Sequence, residues 1–301
     1  MHVACVRRVR AVVARERSPW RRSGWLPRHV SFGAPGMPFH SSHSGSDATL
    51  RRAAGSVRRT AQRLKWAWED RRLIAEQERG VLGPAHLRWR GNSAAENRVR
   101  WTGWNWNRRG EEWNACEEWK RALIDDVLCR WIPSNGVVVE IGPGGGRWSE
   151  VLVARSIRLI LVDVSERPLE LCRERFNDAS NVEYVLSSGS DLPGIASGSV
   201  DAVWSFDVFV HVAPSDQAGY IEEIARVLRP GGVAAIHHAD GRNRGEMPSR
   251  HGWRAPMSQG LFAALALERG LRVECQLDSW GPDGRYDLSG YADAITICRR
   301  D

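Results

Sequence analysis

Val137-Val138-Val139-Glu140-Ile141 runs directly into Gly142-Pro143-Gly144-Gly145-Gly146, and no other stretch restricts the fold of this chain so tightly. A run of β-branched residues ahead of a glycine cluster reads as a strand buried on both faces, as in a parallel sheet. Glycine belongs where the chain turns with unusual dihedrals or where a ligand lies against bare backbone. Amides at the start of the next helix can meet an anionic group. A second strand, Leu159-Ile160-Leu161-Val162, ends at Asp163, which lies 21 positions after Gly142. A carboxylate at about that spacing is placed to accept hydrogen bonds from ribose hydroxyls.

A dinucleotide site wants Gly-x-Gly-x-x-Gly. Counting from Gly142 the third glycine falls on Arg147, and from Gly144 it falls on Ser149, so the pattern fails twice. What stands here is Glu-x-Gly-x-Gly-x-Gly, formed by Glu140, Gly142, Gly144 and Gly146. It resembles the first motif of class I S-adenosylmethionine (SAM) methyltransferases. That resemblance implies SAM as cofactor, with Gly142, Pro143, Gly144 and Gly146 beside its methionyl part. It also implies that Glu140 helps to hold the ammonium, and that Asp163 with Val164 meets the ribose.

The remaining elements alternate. A helix begins near Arg147 and strand two covers about 158–163. Ser165 reads as the cap of a helix to about Phe176. Strands are expected at Val182–Leu186 and Val200–Phe206, a helix at about Ser215–Leu228, and a fifth strand at Val233–His237. Leu228-Arg229-Pro230-Gly231-Gly232 is the helix stop. A helix near 257–269 and strands near 271–279 and 291–299 complete the pattern. Alternating βα units imply a parallel sheet with right-handed crossovers. Gly281-Pro282-Asp283-Gly284 reads as the turn of a final antiparallel hairpin. The expected fold is therefore an α/β, Rossmann-like, seven-stranded, mostly parallel sheet with a C-terminal antiparallel hairpin, plus an N-terminal helical extension. That is also the architecture the resemblance implies, over about residues 100–300.

Further matches follow from the resemblance. Ser199 through Asp207 corresponds to the fourth-strand region, where backbone near Ser205 and Phe206 meets the cofactor. Many relatives have Gly-Asp-Ala after strand three. Here the stretch is Ser188-Gly189-Ser190-Asp191-Leu192, so Gly189, Ser190 and Asp191 are the candidates for the adenine. Beyond strands four and five stand His211, His237 and His238, any of which could take the proton from an acceptor hydroxyl. His211 ranks first, and a histidine satisfied by backbone is the competing use of each. Asp207, His238 and Asp240 could be imagined as metal ligands, but no tight ligand spacing supports a metal. Arg242 and Arg244, in the loop after strand five, could clamp an anionic group or be solvated.

Composition bounds the rest. The chain has 301 residues, 42% of them hydrophobic, and no apolar run long enough to span a membrane. The six cysteines are scattered without Cys-x-x-Cys, which fits reduced thiols in a cytosol. Net charge is +7 but uneven: residues 1–65 hold 14 Lys/Arg against Glu16 and Asp47, and the remainder holds 29 basic against 34 acidic residues. Residues 1–46 read as a disordered basic arm, with nucleic-acid or membrane binding and a transit peptide as lesser alternatives. Leu50, Ala54, Val57, Ala61, Leu64 and Trp68 lie on one helical stripe, which makes 47–98 a helical extension and leaves monomer or homodimer open. The resemblance makes residues 99–301 the expected methyltransferase domain. Heavy Arg, Gly and Trp usage suggests a high-GC bacterial genome. Trp101, Trp104, Trp106, Trp113 and Trp119 form a dense group ahead of the first strand, suited to a lid, an acceptor pocket or core packing. The expected acceptor is a small-molecule hydroxyl. Two alternatives rank lower: methylation of a nucleic acid or protein guided by the basic arm, and a non-catalytic module that keeps the SAM pocket. Against a nucleic-acid base, Ser205-Phe206-Asp207-Val208 stands where base-amine methylases carry an Asn/Asp-Pro-Pro-Tyr/Phe motif.

Overall fold

A computed structural model describes residues 92–241, 254–288 and 292–301. The basic arm, almost all of the helical extension and the Arg242–Arg244 loop lie outside the described residues. In chain order the elements are α1 (Ala94–Thr102), α2 (Glu117–Leu123), β1 (Val137–Ile141), α3 (Ser149–Val153), β2 (Arg158–Asp163), α4 (Glu166–Arg175), β3 (Val182–Leu186) and β4 (Val200–Ser205). They continue with α5 (Pro214–Val227), β5 (Leu228–Ala239), α6 (Gln259–Glu268), β6 (Leu271–Leu277), β7 (Ser279–Trp280), β8 (Tyr286–Asp287) and β9 (Asp293–Arg300).

Seven strands form one sheet in the order β3-β2-β1-β4-β5-β9-β6. β3, β2, β1, β4 and β5 run parallel, while β9 is antiparallel to both β5 and β6. Valine and isoleucine dominate β1 and β2 because helices cover both faces: Val138, Val139, Leu159 and Leu161 are completely buried. One core cluster gathers α5 and α6 on one side of the sheet, and another gathers α2, Trp148 and α4 on the other. The strand order reverses between β1 and β4. In open α/β sheets, ligands bind beyond the strand C-termini at such a switch.

Four local expectations need correction. Ser165 does sit at the N-cap of α4, but its hydroxyl does not cap the helix. It pairs instead with the Thr102 hydroxyl at 2.8 Å. β5 begins at Leu228 rather than Val233, because Leu228 pairs with Val200 before a register shift at the Pro-Gly-Gly segment. The Gly281–Gly284 turn joins the small β7–β8 hairpin, while β6 and β9 pair across that insertion. Finally, α1 begins inside the 47–98 extension and crosses the expected boundary at residue 98. Its start was visible as Ser93-x-x-Glu96: the Ser93 hydroxyl takes the Glu96 amide, and the Glu96 carboxylate takes the Ser93 amide.

Candidate active site

The glycine turn after β1 is built for backbone exposure. Gly142, Gly144 and Gly146 all have positive φ, at 73°, 56° and 85°. Space matters as much as torsion: a Cβ on Gly142 would lie 2.3 Å from Val208, and one on Gly144 would lie 2.8 Å from Trp106. The outer carbonyls are held from behind. Arg175 donates to the oxygens of Gly145 (2.9 Å) and Gly146 (3.0 Å). With those carbonyls turned outward, the turn lines a cleft between the ends of β1 and β4.

Asp163 ends β2 in the same cleft. Its Oδ1 accepts the Ser165 amide at 2.9 Å. Burial pushes its carboxyl up to about 7, against the opposing pull of backbone amides at Ser165, Val164 and Gly144. A carboxylate so placed gains further from hydroxyl donors, such as those of a ribose. Val164 and Gly189 line the cleft alongside it. Glycine amides, an acid at the end of β2 and an apolar flank suit the nucleoside of SAM.

Of the residues singled out from sequence, Gly142, Pro143, Gly144, Asp163, Val164, Gly189, Phe206, His211 and His237 line this cleft. Glu140, Gly146, Ser190, Asp191, Ser205 and His238 are placed otherwise. Glu140 is buried beneath the turn, where its Oε2 accepts the Ser149 hydroxyl at 2.6 Å. Burial raises its carboxyl to about 7, with Ser149 and the Arg147 and Arg175 charges opposing. Gly146 faces the Phe176 ring and the Arg175 side chain. Asp191 closes its own loop by accepting the Ser188 amide at 2.7 Å. Ser190 packs against Gly219 of α5. Ser205 donates to the Ile141 carbonyl at 2.9 Å and so ties β4 to β1. His238 lies within the core: its ring stacks on Phe262 at 4.2 Å, Nε2 meets the Thr296 hydroxyl at 2.7 Å and Nδ1 meets the Ala239 carbonyl at 2.9 Å. Burial lowers its pKa to about 3.

The segment before β1 closes one wall of the cleft. Ala94, Asn97, Trp101, Trp106, Arg109 and Trp113 all line it. α1 is held at three places: Asn97 donates to the His211 carbonyl (2.8 Å), Arg98 to the Val164 carbonyl (3.0 Å), and the Ala94 amide to Asp216 (3.2 Å). Trp101 packs at 5.3 Å from the His211 ring. The tryptophan group thus serves as a cleft wall and packs on itself at the same time.

Beyond β4, β5 and β9 stands a chain of charged groups that sequence reasoning left incomplete. Arg147, the first residue after the glycine run, pairs with Asp207 at 2.5 Å and reaches Asn114 at 3.2 Å. Its guanidinium lies 4.6 Å from the Trp148 ring. Asp207 sits in the left-handed region at φ 62°, which turns its amide to within 3.0 Å of His237 Nδ1 and its Oδ1 to 3.3 Å from the same nitrogen. In the neutral ring Nδ1 accepts that amide, which leaves the proton on Nε2, facing Asp293 at 3.4 Å. Asp293 in turn pairs with Arg254 at 3.0 Å. Burial opposes charge on His237, but hydrogen bonding and attraction from the two carboxylates outweigh it and raise its pKa. Asp207 is held well below the usual carboxylate range: Arg147 and His237 overcome the opposing effect of burial. One signal for this chain was present in the sequence, an arginine immediately after the glycine run. Asp293 needed the β5–β9 register, in which Ala239 faces Asp293 two residues beyond His237.

An open α/β sheet with a glycine turn after β1 and an acid at the end of β2, both at the switch point, is a setting in which nucleosides can bind. Residues 139–236 match the family model described as a methyltransferase domain. That part of the chain is similar to SAM-dependent methyltransferases. An uncharacterized methyltransferase of Mycolicibacterium vanbaalenii is 29% identical over 191 residues, covering 54% of this chain and 73% of that protein. A ubiquinone biosynthesis O-methyltransferase of Aromatoleum aromaticum is 29% identical over 127 residues, covering 40% of this chain and 53% of that one. A tRNA (carboxymethyluridine(34)-5-O)-methyltransferase of Mus musculus is 32% identical over 107 residues, covering 35% of this chain. The present chain spans only 15% of the length of that mouse protein. Among solved structures, a putative methyltransferase of Haloferax volcanii, in complex with a methyltransferase activator, superposes with a TM-score of 0.51 at 21% identity. It covers 67% of this chain and 96% of its own, and the likeness is one of fold.

Proposed function

We propose that the protein transfers the methyl group of SAM to a hydroxyl of a small-molecule acceptor. The observation that carries this reading is the cleft at the β1–β4 switch, lined by the Gly142–Gly145 turn and Asp163 together with His211 and His237. SAM supplies an electrophilic methyl group on a sulfonium. The glycine amides and Asp163 hold the cofactor in place. With SAM bound, its sulfonium would supply the methyl group to the acceptor oxygen and leave as the neutral thioether, and His211 would take the proton that the hydroxyl loses. His211 is preferred over His237 because both ring nitrogens of His237 already face Asp207 and Asp293. Much of the acceleration comes from alignment of oxygen, carbon and sulfur, so no covalent enzyme intermediate is needed.

Calorimetry with SAM and S-adenosylhomocysteine (SAH) tests the pocket, and absence of binding by both at millimolar concentration would sink the reading. Transfer of labelled methyl groups into metabolite extracts then identifies the acceptor. His211→Ala should lower turnover by about 100-fold or more if it is the base.

A second reading, methylation of an RNA, is favoured by two observations: the excess of basic residues in 1–65 and the similarity to the mouse tRNA methyltransferase. Deleting residues 1–46 separates the two. Unchanged turnover on a small-molecule acceptor supports the first, and a strongly salt-dependent loss on RNA supports the second. Among the described residues no helix is long and apolar enough to cross a membrane.

A further inference from the structure

We propose that Asp216, in the first turn of α5, reads the exocyclic amine of the cofactor's adenine, in place of an acid from the loop after β3. The proposal rests on SAM as the cofactor of the methyl-transfer reading and assigns a specificity-determining residue in that same cleft.

The loop after β3 is occupied with itself. The Asp191 carboxylate accepts the Ser188 amide at 2.7 Å and the Ser187 hydroxyl at 2.9 Å. Ser190 backs onto Gly219 of α5. Gly189 does border the cleft, but it has no side chain, and a Cβ there would lie 2.3 Å from Ala94. An amine reaching this loop therefore meets no side-chain acceptor from Gly189, and those of Ser190 and Asp191 are turned elsewhere.

The place of a purine follows from what precedes it. With the methionyl chain along the glycine turn and the ribose at Asp163, the base points the other way, past Val164. Val164 packs beside Gly189, 3.3 Å from the position of a Cβ there. Ala94 opens α1 against the same glycine, and its amide donates to Asp216 Oδ2 at 3.2 Å. Ala94, Val164, Gly189 and Asp216 thus gather at one end of the cleft, next to the ribose acid, and all four line it. The first two offer apolar contact to a ring, and Asp216 is partly buried beside them. The Ala94 amide and the Ser215 hydroxyl take two of the roughly four acceptor positions of that carboxylate. Room is left for an N–H donor.

Asn97 asks for a donor independently. It lies one turn after Ala94, lines the cleft and is only 5% exposed. Its Nδ2 donates to the carbonyls of Asn92 (3.1 Å) and His211 (2.8 Å), which fixes the orientation of the amide. Oδ1 is left buried with no partner. The Asn92 carbonyl also takes the amide of Ala213, the residue before α5, so Asn97 and Asp216 both stand at the start of that helix. An orphaned buried acceptor is costly. Two acceptors at this end suit an amine with two hydrogens, and a carbonyl at the same ring position would face oxygen alone.

Calorimetry with SAH and with its inosyl analogue, in which a carbonyl oxygen replaces the amine, decides the matter. The native protein should bind SAH at least about tenfold more tightly. Asp216→Asn still accepts the Ala94 amide but can donate to the carbonyl, so the ratio of the two affinities should fall to about threefold or less. A residue that served only to hold α1 would weaken both ligands alike, and an unchanged ratio in a folded Asp216→Asn protein overturns the proposal. Asp191→Asn should keep the native ratio. A collapse of the ratio there returns the amine to the loop after β3 and also overturns the proposal. If Asp216→Asn fails to fold, Asp191→Asn carries the test by those same two outcomes. Equal affinity of the native protein for both ligands strikes the assignment of Asp216 and leaves the methyl-transfer reading standing. Failure of both to bind at millimolar concentration strikes that reading, and this proposal with it.

Discussion

The two sides of the cleft are made from different materials. Over β1 and β2 the site is main chain and one acid: a turn whose glycines are required by torsion and space, and Asp163 at the next strand end. Over β4, β5 and β9 it is a relay of side chains drawn from five separate places, Arg147, Asp207, His237, Arg254 and Asp293. A surface of backbone recognises what every member of a class shares. A surface of side chains can vary without disturbing the fold, and it therefore suits the partner that differs from one enzyme to the next.

If the two halves are separable, substitutions should sort by half. The largest effect is expected at Gly142, where they meet. Gly142→Val adds a Cβ that overlaps Val208 from beyond β4 and imposes strain at φ 73°. It should cost about 2–4 kcal/mol of stability and abolish measurable SAH binding, as read by thermal denaturation and calorimetry.

Asp163→Asn should act on the cofactor side alone. Loss of a charged acceptor for the ribose hydroxyls is worth about 1.5–3 kcal/mol, or roughly 10- to 150-fold in SAH affinity, with acceptor binding little changed. The pH dependence carries a definite sign. The Asp163 carboxyl titrates near 7 in the folded protein, and hydroxyl donors favour its ionised form. SAH affinity of the native protein should therefore rise as pH increases through about 7, and the asparagine variant should show a flatter profile. Folding stability runs the opposite way. Between the unfolded value near 3.8 and the folded value near 7 the native state holds more protons than the unfolded chain, so the contribution of Asp163 to stability falls as pH rises across that window. Opposite slopes for binding and stability in one protein would be hard to obtain from any other placement of this acid.

Arg147→Met tests the other side. It frees Asp207 and removes the link to Asn114, while the glycine turn remains. Acceptor KM should rise about tenfold and the pH profile of turnover should shift with His237, while SAH affinity stays within about threefold. Equal losses on both ligands would show that the halves are one unit, joined by the arginine that follows the turn.

The same difference in material explains what could be read from the sequence. Torsional need and strand-end position are local properties, so Gly142, Gly144 and Asp163 stood out at fixed spacing, and the order of βα units implied the sheet. The relay is not local. Asp207 meets His237 only because β4 and β5 are neighbours, and Asp293 meets it only through an antiparallel register that skips the β7–β8 insertion. The resemblance implies a ligand near Glu140, Ser190, Asp191 and Ser205, and each also has a polar partner or packing neighbour within the protein. Spacing alone does not reveal which face of a strand end a side chain leaves from.

His237 and His238 make that point at the smallest scale and give the smallest expected effect. They are adjacent in sequence and so leave the strand on opposite faces. His237 enters the cleft and stacks on Phe206 at 4.3 Å. His238 enters the core, where neutral imidazole satisfies Thr296 and the Ala239 carbonyl at once. Burial holds its pKa near 3, so it stays uncharged at neutral pH. His238→Asn keeps one donor and one acceptor and should leave turnover within about threefold of the native protein, with a loss of about 1–2 kcal/mol in stability from poorer packing on Phe262. His237→Asn, which loses the contact to Phe206 and disturbs both carboxylates, should raise acceptor KM by about tenfold or more. The pair separates orientation from residue type, since both variants make the same chemical change one position apart. A turnover defect in His238→Asn as large as that in His237→Asn, in a protein that still binds SAH, would mean that the core behind β5 takes part in acceptor recognition and that the site is deeper than the cleft.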